Sequence, residues 1–225
     1  MIYEIEINHT NILGFGLLGA ALAFGLFFTP DNGKNRGLRL SMLLGFAFFS
    51  GLGMGPLLDL AIRINPTIVP NALLLSSMIF ASFTGVSLFA PDGQYLFLGG
   101  TLLSGLSTLF WLGLINIFFQ SQLLFQVGYI SKINLVIFSE RINSLYSLYA
   151  MTCTVFQIYF QVYIWGGLLI FCGFIVWDTQ MIIEKKRRGD GDFIGHSLDL
   201  FIDFMQVFRK VLILLMQKVL EILNN

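Results

Sequence analysis

Charge is scarce in this sequence. Asp, Glu, Lys and Arg make up 12% of its 225 residues, whereas hydrophobic residues make up 56% and the mean hydropathy is +0.79. A composition this apolar excludes an ordinary soluble domain and is typical of a polytopic membrane protein. The formal net charge is zero, so there is no excess of positive charge for nucleic acid. We therefore predict an all-α membrane protein that contacts the lipid bilayer and has no nucleic-acid partner.

Histidine and cysteine are also scarce, with two of each. A membrane hydrolase would need a Ser/His or metal-ligand pair inside the helix bundle. His9 lies near the N-terminus and His196 lies in a charged hinge, so the sequence predicts no enzyme, no cofactor and no firmly held metal. Two cysteines build no disulfide framework, and Cys172 is predicted to be a packing residue. The first ten residues contain no Lys or Arg, so no secretory signal peptide is predicted.

Long hydrophobic runs, in contrast, are frequent. A helix needs about 20 apolar residues to cross a bilayer, and such runs predict six hydrophobic helices, at residues 11–29, 40–62, 72–90, 95–117, 162–183 and from about 196 onward. Pro56 should kink the second helix, because proline removes a helical hydrogen bond. Basic residues cluster in the loop 30–39 and in the hinge 184–196, which places both on the cytoplasmic side by the positive-inside rule. Strict alternation puts the C-terminus in the lumen, and a re-entrant last helix is the alternative.

Polar residues in the last two helices form the candidate site. Asp178 lies in the helix predicted at 162–183, and Asp203 lies about two turns into the last helix. Carboxylates inside apolar helices are energetically costly, so they face a bundle interior or a wet cavity and are functional candidates by default. Helical spacing predicts a supporting polar stripe on the last helix, made of Asp199, Gln206 and Lys210, with Arg209 beside it.

Antiparallel packing across a short hinge would bring Asp178 and Asp203 together. Two adjacent carboxylates cannot both ionise at low cost, so a shared proton would make a pH-dependent latch. The ionised pair would repel and would offer oxygen ligands suited to transient calcium contacts. These residues alone equally allow a packing role, in which Arg209 or Lys210 holds the acids as buried ion pairs. Buried acids also serve proton-coupled transporters, which is a further alternative.

Several motifs resemble those of a known family. WDTQMIIEK (177–185) followed by GDGDFIGHSLDLFIDFMQVFRK (189–210) is similar to the end of the transmembrane Bax-inhibitor-motif family, in its animal Bax inhibitor-1 form. Three upstream motifs stand in the family's order: GFAFFSGLGMGP (45–56), INPTIVPNA (64–72) and YLFLGG (95–100). Several separate motifs in the right order make the resemblance specific.

The resemblance covers residues 11–126 and 162–216 and implies a Bax-inhibitor-type helix bundle. The full family fold has seven helices, so one helix ahead of residue 11 is expected to be missing. The resemblance further implies a pH-sensitive calcium leak channel of the endoplasmic reticulum membrane that suppresses apoptosis caused by Bax and by reticulum stress, with calcium ions and protons as partners. Asp178 and Asp203 match the family's di-aspartyl sensor, and Asp199 matches a further acid. A non-conducting scaffold that binds Bcl-2-type proteins is the alternative.

Residues 127–161 do not fit the resemblance, because family members pass almost directly from the equivalent of 123–126 into the helix at 162. We expect a single transmembrane domain over 1–225 with 127–161 as an extra lumenal insert. The segment opens with a valine, whose codons begin with GT, and it closes with Tyr-Phe-Gln, which can be encoded by a pyrimidine-rich stretch ending in CAG. We therefore hypothesise a retained intron, with a lineage-specific loop as the alternative. Its many polar residues favour an interfacial or disordered lumenal segment.

Overall fold

The computed structural model describes residues 2–31, 34–91, 93–119 and 143–223, and all regular structure within these ranges is α-helical. Six helices follow in order along the described chain: α1 (Ile2–Phe28), α2 (Arg36–Ile64), α3 (Ile68–Phe89), α4 (Leu98–Phe119), α5 (Asn143–Arg187) and α6 (Phe193–Leu223). Each helix contains one of the six hydrophobic runs. The predicted all-α fold class is confirmed.

Two helices begin much earlier than predicted, whereas the other four begin within four residues of the predicted positions. α1 begins at Ile2 rather than near residue 11, and α5 begins at Asn143 rather than near Val162. Neither residues 2–10 nor residues 143–161 contain Gly or Pro, so nothing in the backbone stops the helix from extending. Residues 143–161 are therefore the first part of α5 and not a disordered segment, while their interfacial or lumenal position stays a prediction. Residues 127–142 lie outside the described residues, and the retained intron stays a prediction.

Helix α6 is the central helix of the bundle. Among the described residues it contacts α1, α2, α3 and α5. The main core lies where α6 meets α2, α3 and α5, and five of its side chains are wholly buried: Ala61, Ala72, Ile175, Val207 and Leu212. Lipid tails are as apolar as these side chains, so close van der Waals packing, rather than removal from water, stabilises the arrangement.

The outer surface of the bundle is strongly apolar. Phe27, Phe89 and Leu169, on three different helices, are among the large hydrophobic side chains that are mostly exposed. Within the residues that the structure describes, three helical stretches are long and apolar enough to cross a membrane: Arg36–Ile64, Ile68–Phe89 and Tyr159–Arg187. Shorter apolar stretches lie at Gly16–Phe28 and Leu98–Leu114. This arrangement supports the predicted multi-pass membrane protein.

Proline and turn positions agree with the sequence pattern. Pro56 lies inside α2, which continues to Ile64; the predicted kink itself stays a prediction. The short turn after Ile64 is closed by Asn65, whose side-chain oxygen accepts hydrogen bonds from the backbone and the hydroxyl of Thr67. Asn side chains favour such turns because they replace a backbone acceptor locally. α2 and α3 therefore run antiparallel and contact each other.

Candidate functional site

The structure brings Asp178 and Asp203 together. α5 ends at Arg187 and α6 begins at Phe193, so the hinge 188–192 reverses the chain and makes the two helices antiparallel. The carboxyl groups of Asp178 and Asp203 interact directly across the α5–α6 interface. Asp203 is 4% exposed, and its Oδ2 atom has no hydrogen-bond partner. Buried polar atoms are nearly always paired. This oxygen is an exception, and it is therefore available for a further interaction.

Other charges surround the acid pair. Asp199 lies one turn before Asp203 on α6 and acts electrostatically on both paired acids. Lys185, near the end of α5, acts on Asp178 and on Asp199. His196, in the first turn of α6, acts on Asp199, and its Nε2 atom is buried without a hydrogen-bond partner. The site, called the acid cluster below, is therefore the pair Asp178 and Asp203 with Asp199 within electrostatic range; Lys185 and His196 act on Asp199.

The polar stripe predicted on α6 divides into two parts. Asp199 and Asp203 belong to the acid cluster, whereas Gln206, Arg209 and Lys210 line a separate cavity between α4, α5 and α6. Lys210 is 4% exposed, and its Nζ atom lies 3.6 Å from the centre of the Tyr163 ring. The ion pairs of the described residues include those of Arg39, Arg63 and Arg188, whereas neither Arg209 nor Lys210 pairs with Asp178 or Asp203. The alternative in which these two cations hold the acids as buried ion pairs is therefore wrong.

A buried ion pair at the hinge was not predicted. Asp192 Oδ2 accepts a hydrogen bond from Nη2 of Arg39, at 2.5 Å, and Oδ1 accepts one from the backbone N–H of Gly195, at 2.9 Å. Asp192 therefore caps the N-terminus of α6 and also joins it to α2. Burial raises the pKa of Asp192, but the hydrogen bonds from Arg39 and Gly195 outweigh it, so the pKa lies below its usual value. An Asp before a helix suggests a cap, but no local signal links it to Arg39.

Gln180 was also missed, although it lies in the WDTQ motif. Its Nε2 atom donates to the carbonyl of Ser87, at 2.7 Å, and its Oε1 atom accepts from the N–H of Gly93, at 2.9 Å. The hydroxyl of Ser87 in turn donates to the carbonyl of Val176. Gln180 and Ser87 are both buried. These bonds attach the end of α3 and the following turn to α5, two residues from Asp178.

Within the described part of the chain, no group of three or more His, Cys, Asp or Glu residues could hold a metal ion. Two or three carboxyl groups at one place can still make short-lived contacts with a cation, since calcium ordinarily takes six to eight oxygen ligands and part of these are often waters. Among the described residues, the carboxyl groups therefore do not form the ligand set of a firmly held metal ion.

Taken together, fold and site define a class: a multi-pass α-helical membrane protein whose central helix carries a buried acid, Asp203. The family profile described as "Inhibitor of apoptosis-promoting Bax1" matches residues 2–149 and 142–219. The boundary between the two matches falls inside the segment 127–161. The chain belongs to this Bax inhibitor 1 family, which confirms the resemblance found in its motifs.

Three relatives illustrate the similarity. The chain is 39% identical over 210 residues to the probable Bax inhibitor 1 of Paralichthys olivaceus, which covers 92% of this chain and 74% of that protein. The Bax inhibitor 1 of Homo sapiens gives the same identity and coverage. The Bax inhibitor 1 of Arabidopsis thaliana is 36% identical over 179 residues, covering 80% of this chain and 59% of that protein.

Proposed function

We propose that this chain is a pH-sensitive calcium leak channel of the endoplasmic reticulum membrane, that it is gated by Asp178 and Asp203, and that it suppresses apoptosis. One observation carries the proposal: the two carboxyl groups meet at the interface between α5 and the central helix α6. The names of the relatives support the link to apoptosis, because they are called inhibitors of Bax.

The gate follows from the chemistry of two adjacent carboxyl groups. When they share a proton they can form a hydrogen bond, which holds α5 against α6. When both are ionised they repel each other, and the two helices lose that contact. The ionised oxygens are also hard ligands of the kind that calcium prefers. Acid therefore favours the closed pair, and loss of the shared proton favours calcium entry between the helices.

Calcium efflux from liposomes tests the gate. The full chain is reconstituted with trapped calcium, and efflux is followed at neutral and mildly acid pH beside Asp178→Asn and Asp203→Asn. Asp59→Asn is the matched control, because Asp59 is an exposed acid of α2 that pairs with Arg63 on the same helix. We expect the native chain and the control to leak with the same pH dependence, and each of the first two variants to lose that dependence. Equal pH dependence in all four proteins would refute the gate.

The insert is tested with the same assay. A chain that lacks residues 127–161 is compared with the full chain, and sequencing of transcripts across codons 126 and 162 shows whether a shorter message exists. Efflux from the shortened chain alone would mean that the segment disables the channel. Transcripts of the long form only would contradict the retained intron.

A non-conducting scaffold that binds Bcl-2-type proteins is the second candidate, and the relatives' names favour it because they mention Bax and no ion. The two candidates differ in how cell-death suppression responds to Asp203→Asn. The channel requires cell-death suppression to change when Asp203→Asn removes the pH dependence of calcium efflux. The scaffold requires Asp203→Asn to suppress cell death as well as the native chain does, whether the substitution alters efflux or neither protein shows any efflux.

A further inference from the structure

A cavity lies on the other side of α6 from the core, between α4, α5 and α6. Its volume is about 600 Å³, within the ~300–1,000 Å³ range of pockets that hold small organic ligands. Apolar side chains of α4 form one wall, among them Leu103, Leu106 and Phe110. Leu103 and Phe110 are also largely exposed on the outside of the bundle, so this wall borders the region where lipid lies.

At the polar end of the cavity, the protein holds the ammonium group of Lys210 in a defined position. The Lys210 side chain runs past Gly167, where a Cβ atom would lie 2.9 Å from Lys210 Cε and 3.1 Å from Nζ. The ammonium ends over the face of the Tyr163 ring, an arrangement that stabilises a cation. A larger residue at position 167 would make the end of the Lys210 side chain shift, so glycine allows the ammonium to take this position.

The ammonium group of Lys210 has no partner of opposite sign among the described residues. Arg209 adjoins Lys210 and lines the same cavity, and the two cations repel each other. No carboxylate among the described residues makes an ion pair with either of them. Cations inside membrane helices are energetically costly and are normally paired. The cavity therefore presents two unpaired positive charges at one end and an apolar wall at the other.

We propose that this cavity binds a long-chain fatty acid, with its carboxylate at Arg209 and Lys210 and its acyl chain along the apolar wall of α4. The charges call for an anion, and the apolar wall calls for a hydrocarbon tail on the same molecule. The volume suits one acyl chain rather than the two chains of a phospholipid. Lys210 lies about 26 Å along α6 from its start, at the helical rise of ~1.5 Å per residue. The two cations therefore lie almost five helical turns from the hinge.

Binding of radiolabelled palmitate to the purified full chain in detergent tests the proposal. We expect saturable binding that unlabelled palmitate displaces. Hexadecanol, which has the tail without the charge, and acetate, which has the charge without the tail, should displace it at least about tenfold less well, since a hydrogen bond to a charged group is worth ~1.5–3 kcal/mol and 1.4 kcal/mol is tenfold in affinity. Displacement by hexadecanol or acetate as effective as by palmitate would overturn the proposal, and so would phosphatidic acid at equal potency.

Variants locate the site. Lys210→Gln and Arg209→Gln should each weaken palmitate binding about tenfold or more, and Leu106→Trp should weaken it by filling the apolar end while keeping both charges. Lys218→Gln is the matched control, because Lys218 is an exposed cation two turns further along the same helix and does not line the cavity. If Lys210→Gln fails to fold, Arg209→Gln keeps the test, since the Arg209 side chain is exposed. Unchanged binding in Arg209→Gln and Leu106→Trp would overturn the proposal.

Discussion

Removing the charge of Asp192 should destabilise the hinge end of the bundle. Asp192→Asn keeps a capping side chain for α6, because Asn caps helices about as well as Asp, but it removes the anion that faces Arg39. The Arg39 side chain is 3% exposed, and its other acidic neighbour, Asp31, lies 3.8 Å away. Removing one partner of a buried ion pair costs about 3–5 kcal/mol. Asp192 is 24% exposed, so we expect a loss near the lower end, about 3 kcal/mol.

Thermal unfolding of the purified chain in detergent, followed by tryptophan fluorescence, measures this loss. For chains of this size 1 kcal/mol corresponds to about 2–4 °C in Tm, so Asp192→Asn should lower Tm by roughly 6–12 °C. Asp192→Ala also removes the cap and should cost a further ~0.5–2 kcal/mol. Glu184→Gln is the matched control, because it breaks a more exposed ion pair with Arg188, and such pairs contribute about 0–1 kcal/mol.

The double variant and the pH dependence sharpen the test. Arg39→Met combined with Asp192→Asn leaves no unpaired buried charge, so it should be more stable than the sum of the single losses implies. The pKa of Asp192 is lowered in the folded chain, so its contribution is complete above the unfolded value of about 3.9 and is lost as pH falls through the folded value. The Tm difference between the native chain and Asp192→Asn should therefore be constant from about pH 7 to pH 5 and should shrink below about pH 4. Equal Tm values for these two proteins at neutral pH, or additive losses in the double variant, would refute the pairing.

Three further predictions concern packing and turns, and all are read from Tm in the same detergent. Gln180→Leu leaves the buried carbonyl of Ser87 and the N–H of Gly93 without their partner, at about 1–3 kcal/mol each; a change below 2 °C would contradict this. Gly93→Ala should cost about 1–2 kcal/mol, because Gly93 has a φ angle of 74° and side chains strain that conformation; an unchanged Tm would mean that the turn is not held there. Leu212→Ala should cost at least about 2 kcal/mol through the cavity it leaves, whereas Leu74→Ala, at a side chain that is 59% exposed, should cost well under half as much; equal losses would contradict the central position of α6.

Asp192 lies immediately before α6 and Asp203 lies within it, which gives the ion pair a second significance. Asp192 holds the first turn of α6 against α2, and Asp203 lies about three turns further along α6. A looser hinge would let the start of α6 move relative to α5. We therefore expect Asp192→Asn to alter calcium efflux as well as Tm if the proposed gate is correct, with Glu184→Gln again as the control.

The sequence alone was sufficient for the fold class, the approximate positions of the helices and the acidic residues of the site. Hydrophobic runs are local signals, and each run of Leu, Phe, Ile and Val predicts a helix without reference to the rest of the chain. A carboxylate in such a run is equally visible, because an acid in an apolar helix is costly wherever the helix lies. Asp178 and Asp203 could therefore be named, and their meeting could be expected from one short hinge between antiparallel helices.

Only the tertiary structure decided which polar residues become partners. Arg39 and Asp192 are 153 residues apart in sequence, and Gln180 bonds to Ser87 and Gly93 across 93 and 87 residues. Helical periodicity placed Lys210 on the same stripe as Asp203, but the stripe spans several turns, and the neighbouring helices differ along it. At Lys210 the neighbours are Gly167 and Tyr163, which hold a cation without neutralising it. Periodicity along one helix predicts the face on which a side chain lies, whereas the residue that it contacts depends on how the other helices pack.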